Sequence, residues 1–381
     1  IVFGDWSSDV CSSDLGQNLN GDALISNHWL KMETFGWIIG LTYGTNQPQG
    51  VDYEYCTRLI DEMASNGMNM LSIMMQSYAF FDPLHDGYCW PVQNPKLECY
   101  RDKNAINSNK QTEFLSQIIE QAEKKGISIE LTLNWGIWNS KKIQESYPNA
   151  CLQQHKEVKK NNPKWVHCPD APDGWQLGLD EVEDLLTYYR HPNVKRYVFE
   201  RVGYVGYGYC NCPYTQACFS DDLHADISKS PQHQVIKWKK DHICQKITEY
   251  VEHIKKINPK IEVGIHSLGN MEWGHDPKRF LECGLSYVEP HTIQFKTRRG
   301  QLYEYLEHLS PNPIIAHFDV RDIAPANYPI WKKTPRIIRT VAEWFPQYES
   351  ERIKGILFFN EANVSTENRK AVYEVVHQLA K

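Results

Sequence analysis

Eight short runs rich in β-branched and aromatic residues, separated by stretches with helical periodicity, constrain the fold of this chain more than any other feature. They are Trp37 to Tyr43, Asn69 to Met75, Ser128 to Asn134, Arg196 to Val202, Ile261 to His266, Ser286 to His291, Pro313 to Asp319 and Lys354 to Asn360. Strand-length runs alternating with helical patterns are the mark of βα units and a parallel sheet. Asp52 is placed to cap a helix with Cys56, Leu59, Ile60 and Met63 on one face. Leu115, Ile118, Ile119 and Ala122 repeat that spacing before Gly126, Ile243, Ile247, Val251 and Ile254 do so before Asn258-Pro259, and Val372, Val375, Val376 and Leu379 line a final helix. Eight such units predict an α/β fold, a (β/α)8 TIM barrel over 36–381, with 16–35 as a lead-in. The sequence carries neither the GxGxxG nor the P-loop signature of an open nucleotide-binding sheet, and no break in composition marks a second domain. Long insertions follow runs 2, 3 and 4, at about 76–110, 135–180 and 203–234. They are predicted to build the rim at the carboxyl ends of the strands, where barrel active sites lie.

Charge and hydropathy exclude two partner classes. Among 381 residues, 41 Lys and Arg face 47 Asp and Glu, so the net charge is -6, opposite to what a phosphate-backbone binder needs. No apolar stretch approaches the ~18 residues of a membrane-spanning helix. The 12 Trp and 21 Tyr offer flat faces suited to core packing and to stacking on sugar rings. Residues Asp5 to Leu15, DWSSDVCSSDL, read as the in-frame translation of a sequencing adapter, as at the edge of a metagenomic contig. On that reading 1–15 are an artefact, the natural start and any signal peptide are lost, and the compartment stays open. Without Asp5, Asp9 and Asp14 the net charge falls from -6 to -3.

The carboxyl ends of the later runs carry ionisable and polar groups: Glu200, His266, Glu289, His291, His317, Asp319, Asn360 and Glu361. A barrel gains no stability from a ring of unpaired carboxylates, so this pattern points to a site. Glycoside hydrolysis uses two carboxyl groups, one a protonated acid and the other a nucleophile or a base for water. Glu200 and Glu289, two strands apart, are the first candidate pair, with Glu361 and Asp319 in reserve. His266, His291, His317 and Asn360 are candidates for hydrogen bonds to sugar hydroxyls, and Trp135, Trp138 and Trp273 for stacking platforms. Two other functions stand beside glycoside hydrolysis. One is a non-catalytic carbohydrate-binding barrel; the other is a metal-dependent hydrolase or deacetylase built on the histidines.

After the fourth run comes Cys210-Asn211-Cys212-Pro213-Tyr214-Thr215-Gln216-Ala217-Cys218. This C-x-C-x5-C cluster could hold three corners of a structural zinc, with Cys89, Cys99, Cys151 or Cys168 as the fourth, or could form a disulfide to another rim loop. Cys56, Cys244 and Cys283 fall on helical faces and read as small core residues. No cofactor is required by the expected chemistry.

These features resemble the TIM-barrel glycoside hydrolases, including their "hypothetical glycosyl hydrolase" families. The likeness lies in Phe199-Glu200-Arg201-Val202-Gly203-Tyr204 followed by Cys210, Cys212 and Cys218, and in Asn360-Glu361. The first is similar to the segment in which a strand-4 acid precedes the C-x-C-x2-C turn of the zinc-holding barrel β-galactosidases, with x5 here in place of x2. The second is similar to the Asn-Glu pair that presents the acid/base on strand 4 of the largest barrel clan, although here it ends run 8. The resemblance implies a glycosidase acting on a glycoside or oligosaccharide.

Overall fold

The computed structural model describes residues 32–42, 51–77, 84–135, 140–150, 167–200, 202–204, 209–267, 274–292, 313–323, 332–344 and 353–380. Eight parallel strands close into a barrel: β1 (Thr34–Gly40), β2 (Met70–Met74), β3 (Ser128–Asn134), β4 (Val194–Glu200), β5 (Glu262–Ser267), β6 (Tyr287–Thr292), β7 (Ile314–Asp319) and β8 (Ile353–Phe359). Each strand pairs with its neighbours in sequence, and β8 returns to pair with β1. This is the expected (β/α)8 architecture. Strand β1 starts at Thr34 rather than Trp37, because Thr34, Phe35 and Gly36 find partners in Gly355, Ile356 and Leu357 of β8. Strand β4 likewise starts at Val194, two residues early, and ends at Glu200.

The helices that cover the strands are α1 (Tyr53–Ser65), α2 (Leu115–Lys124), α3 (Pro172–Tyr188), α4 (Pro213–Leu223), α5 (Gln232–Ile257), α6 (Pro335–Trp344) and α7 (Thr366–Leu379). Asp52 caps α1 by accepting the Tyr55 N–H at 2.8 Å, and Cys56, Leu59, Ile60 and Met63 are its buried face, as the spacing predicts. Gly126, at φ +72°, stops the chain after α2 in a conformation that favours glycine.

Alternation sorts the strand side chains into two cores. Trp37, Ile39, Leu71, Ile73, Leu131, Leu133, Tyr197, Phe199 and Ile265 face the helices and join one large cluster. Ile38, Met70, Val198, Tyr287, Ile315, Leu357 and Phe359 fill the barrel. Strands buried on both faces must be apolar on both, which is why the runs read as nearly continuous hydrophobic segments. The space over Gly264 admits the Tyr287 ring, since a Cβ there would lie 2.5 Å from ring carbons. The tyrosine hydroxyl thereby reaches Glu130 inside the barrel.

Candidate active site

The register of β4 against β5 sets Glu200 beside His266, and that of β5 against β6 sets His266 beside Glu289. Three inward-facing polar groups therefore sit on adjacent strands. Glu200 Oε1 is hydrogen-bonded to His266 Nδ1, and His266 Nε2 lies 2.9 Å from His317 Nδ1. The two imidazoles are stacked, with centroids 4.8 Å apart and planes at 28°. Glu200, His266 and His317 thus form one hydrogen-bonded chain. Burial holds the His317 imidazole well below the usual histidine range, and His266 and Arg321 reinforce that shift. His317 is thus the member of the chain that resists taking up a proton.

The two candidate carboxyls have different surroundings. The Glu200 side chain keeps 14 % of its surface exposed. Glu289 is 2 % exposed, and its Oε1 has no hydrogen-bond partner. Burial raises the Glu289 carboxyl well above its ordinary range, the neighbouring Glu130 adds to this, and Arg196 opposes it. Glu289 therefore holds its proton where an ordinary glutamate has lost it. Glu130 lies wholly inside the barrel on β3 and accepts the Tyr287 hydroxyl at 2.8 Å.

The reserve carboxylates are held by arginines. Asp319 receives two guanidinium hydrogen bonds from Arg321, at 2.9 and 2.8 Å, and the Arg321 backbone N–H at 3.1 Å. Glu361, in the 3-10 turn Glu361–Asn363 that follows β8, is bound by the Tyr55 hydroxyl and the Arg369 guanidinium and is fully buried. Burial raises its carboxyl and Arg369 opposes the rise. Asn360 is buried beneath the same turn, its Nδ2 donating to Asn363 Oδ1 at 3.3 Å.

Trp135 occupies a packing position rather than the rim. It follows the inward Asn134 and so points to the helix layer, where its N–H donates to the His167 carbonyl at 3.2 Å. Its ring packs edge-on against Tyr250 at 5.1 Å and tilted against Trp175 at 5.6 Å. At 2 % exposure it has no face for a sugar. Trp138 and Trp273 lie outside the described residues. His291 pairs in register with His317, and its side chain is outside what is described.

The cysteine cluster forms with one change of member. Cys168, Cys210 and Cys212 are buried together with their sulfurs within 4.8 Å of one another, whereas Cys218 gathers with Asp170 and His242. Cys212 is the N-cap of α4, accepting the Thr215 N–H at 3.4 Å. Six residues further along a helix at 100° per residue, Cys218 has turned about 240° from the cap and cannot face the same point. Hydrogen bonds from Cys168 and then Cys210 pull the Cys212 thiol well below its ordinary range. The Cys168 and Cys212 sulfurs are 3.6 Å apart, close to the ~3.8 Å that tetrahedral geometry requires at Zn–S distances of about 2.3 Å. The three residues fit a zinc ion. Among the described residues, neither metal-competent group includes His266 or His317.

Glu130, Tyr287, Asp170 and His242 are not among the residues expected from the sequence. Glu130 had a signal, since Ser128, Glu130, Thr132 and Asn134 alternate through β3 as an inward polar face. Asp170 and His242 had none, being 72 residues apart.

The fold and the ring of strand-end groups place the chain among (β/α)8 barrels with a polar carboxyl-terminal mouth. No family model and no curated protein sequence matches it. Its fold is similar to that of the PgaB (BpsB) glycoside hydrolase domain from Bordetella bronchiseptica, at TM-score 0.65 and 13 % identity over 91 % of this chain and 99 % of that one. It is also similar to the cold-adapted β-galactosidase from Rahnella sp. R3, at TM-score 0.61 and 15 % identity over 92 % of this chain and 56 % of that one. The β-galactosidase from Bacillus circulans sp. alkalophilus matches at TM-score 0.61 and 13 % identity, over 91 % and 55 % of the two chains. The chain thus spans just over half of each β-galactosidase.

Proposed function

We propose that the protein is a glycoside hydrolase acting on a glycoside or oligosaccharide. In this reading Glu200 is the nucleophile or base and Glu289 the acid, while His266 and His317 orient Glu200. One observation carries it: two inward carboxyls near one another at the mouth have opposite environments, one hydrogen-bonded by a histidine and partly open, the other dry and proton-retaining. Glycosidases divide their two carboxyls in this way. The fold likeness to glycoside hydrolases supports it, as an analogy of architecture.

The Glu200 carboxylate would approach the anomeric carbon while the Glu289 carboxyl gives its proton to the departing oxygen. The His266 to His317 chain fixes the Glu200 rotamer, which preserves the geometry such a step needs. A structural zinc held by Cys168, Cys210 and Cys212 belongs to the same reading. When bound it would supply cross-linking between the segment before α3 and the start of α4, with no part in the reaction. The test is a panel of nitrophenyl glycosides and natural oligosaccharides run on the parent, Glu200→Gln and Glu289→Gln. Sugar release by the parent and a loss of at least 100-fold in each variant is expected. Full turnover in both variants would overturn the assignment of the pair.

A further inference from the structure

Asp170, Cys218 and His242 come from three segments: the turn before α3, the middle of α4 and α5. Their ligand atoms nevertheless lie within 4.8 Å of one another, and His242 Nε2 is 2.6 Å from Asp170 Oδ1. The Asp170 side chain is completely buried and that of His242 is 9 % exposed. Neighbours fix both. The Tyr204 and Thr215 hydroxyls donate to Asp170 Oδ2, which leaves Oδ1 to face the histidine. The Trp238 ring stacks on the His242 ring at 4.9 Å and 18°, and is itself anchored by its N–H to Asp222 at 2.7 Å.

Metal-binding histidines and carboxylates are held by outer hydrogen bonds and packing of this kind, which set the ligand atoms before the ion arrives. We propose that Asp170, Cys218 and His242 form a second divalent-metal site, separate from the thiol trio, and that its ion is Zn²⁺. A mixed N, O and S donor set suits zinc, whereas calcium and magnesium take oxygen ligands. The two sites share no ligand. They touch through Thr215, whose hydroxyl donates to Asp170 and lies 3.3 Å from Cys212 Sγ and 3.6 Å from Cys168 Sγ. The charges suit this closeness. Three thiolates around one Zn²⁺ leave a net charge of about -1, while one carboxylate, one thiolate and a neutral imidazole cancel the second ion. The second ion would cross-link the turn before α3 to α4 and α5. It accounts for the C-x5-C spacing, which takes the third cysteine out of the first site and delivers it to another.

The test is zinc stoichiometry by elemental analysis of the full chain, saturated with zinc and then dialysed free of excess, for the parent, Cys218→Ser and His242→Gln. Each variant is expected to hold one zinc per chain fewer than the parent. After cobalt substitution, each should also lose part of the visible absorption while keeping the sulfur-to-cobalt charge-transfer band of the thiol trio. The zinc count is compared with that of the parent, so it works whether or not the trio itself is loaded. Cys218→Ser is nearly isosteric and decides the matter if His242→Gln fails to fold. Unchanged stoichiometry in Cys218→Ser overturns the proposal, as does a parent that binds no zinc.

Discussion

Four strand-end carboxyls invite a catalytic reading, and the Asp319 to Arg321 pair allows one of them to be tested against a structural role. The two side chains are 3 % and 4 % exposed and meet through two hydrogen bonds at 2.8 and 2.9 Å. Breaking a buried pair by removing one partner strands the other charge and costs about 3–5 kcal/mol, whereas replacing both by apolar groups is often neutral or stabilising. Arg321→Met should therefore destabilise by that amount, and Asp319→Leu should do the same for the stranded guanidinium. The double variant should recover most of the loss. A total stability of about 5–15 kcal/mol is typical, so the single variants should still fold at low temperature. Urea unfolding followed by tryptophan fluorescence, with 12 tryptophans as reporters, measures the cycle. Losses that simply add would refute the pairing argument. So would Asp319→Asn at near-parental stability with turnover down by about 1,000-fold, the signature of an acid or base.

The remaining predictions probe the barrel interior and the helix layer. Glu130→Gln removes one of the groups that raise Glu289, so the alkaline limb of the pH profile of kcat/KM should move to lower pH; a limb that stays in place would separate Glu130 from the acid. Glu181, buried under the Tyr88 hydroxyl, is raised well above its ordinary carboxyl range by burial. A raised acid contributes stability fully below its unfolded value and loses it as pH climbs towards the folded one. Glu181→Gln should therefore gain on the parent in urea midpoint as pH rises above the ordinary 4.5, and a difference independent of pH would contradict this. Gly178→Ala places a Cβ 2.2 Å from Trp135 Cη2 and Cζ3. Overpacking of that kind costs about 1–3 kcal/mol. The cost should vanish in a Trp135→Phe background, which lacks those atoms, and its persistence there would mean that the clash lies elsewhere.

The barrel was legible because β strands covered on both faces must be apolar on both, which leaves eight dense runs that local helices cannot imitate. Their starts were less so. Thr34 and Phe35 read as lead-in, and they become strand only because Gly355 and Ile356 pair with them across the closure of the barrel. The site was half legible. Glu200, His266 and Glu289 share a face through strand register, and their positions at strand ends announce it. Simple alternation also shows that Trp135, next to the inward Asn134, faces the helices. What no local pattern conveys is partnership. Arg369 reaches back from α7 to Glu361 and also to Glu62 at 2.9 Å, and Asp170 finds His242 across 72 residues.

That partnership divides the carboxyls. Among the described residues, Arg321, Arg369 and Arg196 each hold a carboxylate. Arg321 holds Asp319 and Arg369 holds Glu361. Arg196 donates to Glu262 at 2.7 Å and to Thr34 at 3.2 Å, with its guanidinium 5.0 Å from the centre of the Tyr287 ring. Glu130 and Glu289 are buried with no guanidinium hydrogen bond among the described residues, and ionising both in a dry barrel would cost several kcal/mol per charge. Burial and the neighbouring Glu130 raise the Glu289 carboxyl well above its ordinary range. Asp319 and Glu361, by contrast, each lie against a guanidinium. Glu289, raised by burial, is the member of the Glu130 and Glu289 pair next in register to the Glu200 and His266 chain. The guanidinium contacts of Asp319 and Glu361 thus agree with the proposal that assigns the chemistry to Glu200 and Glu289.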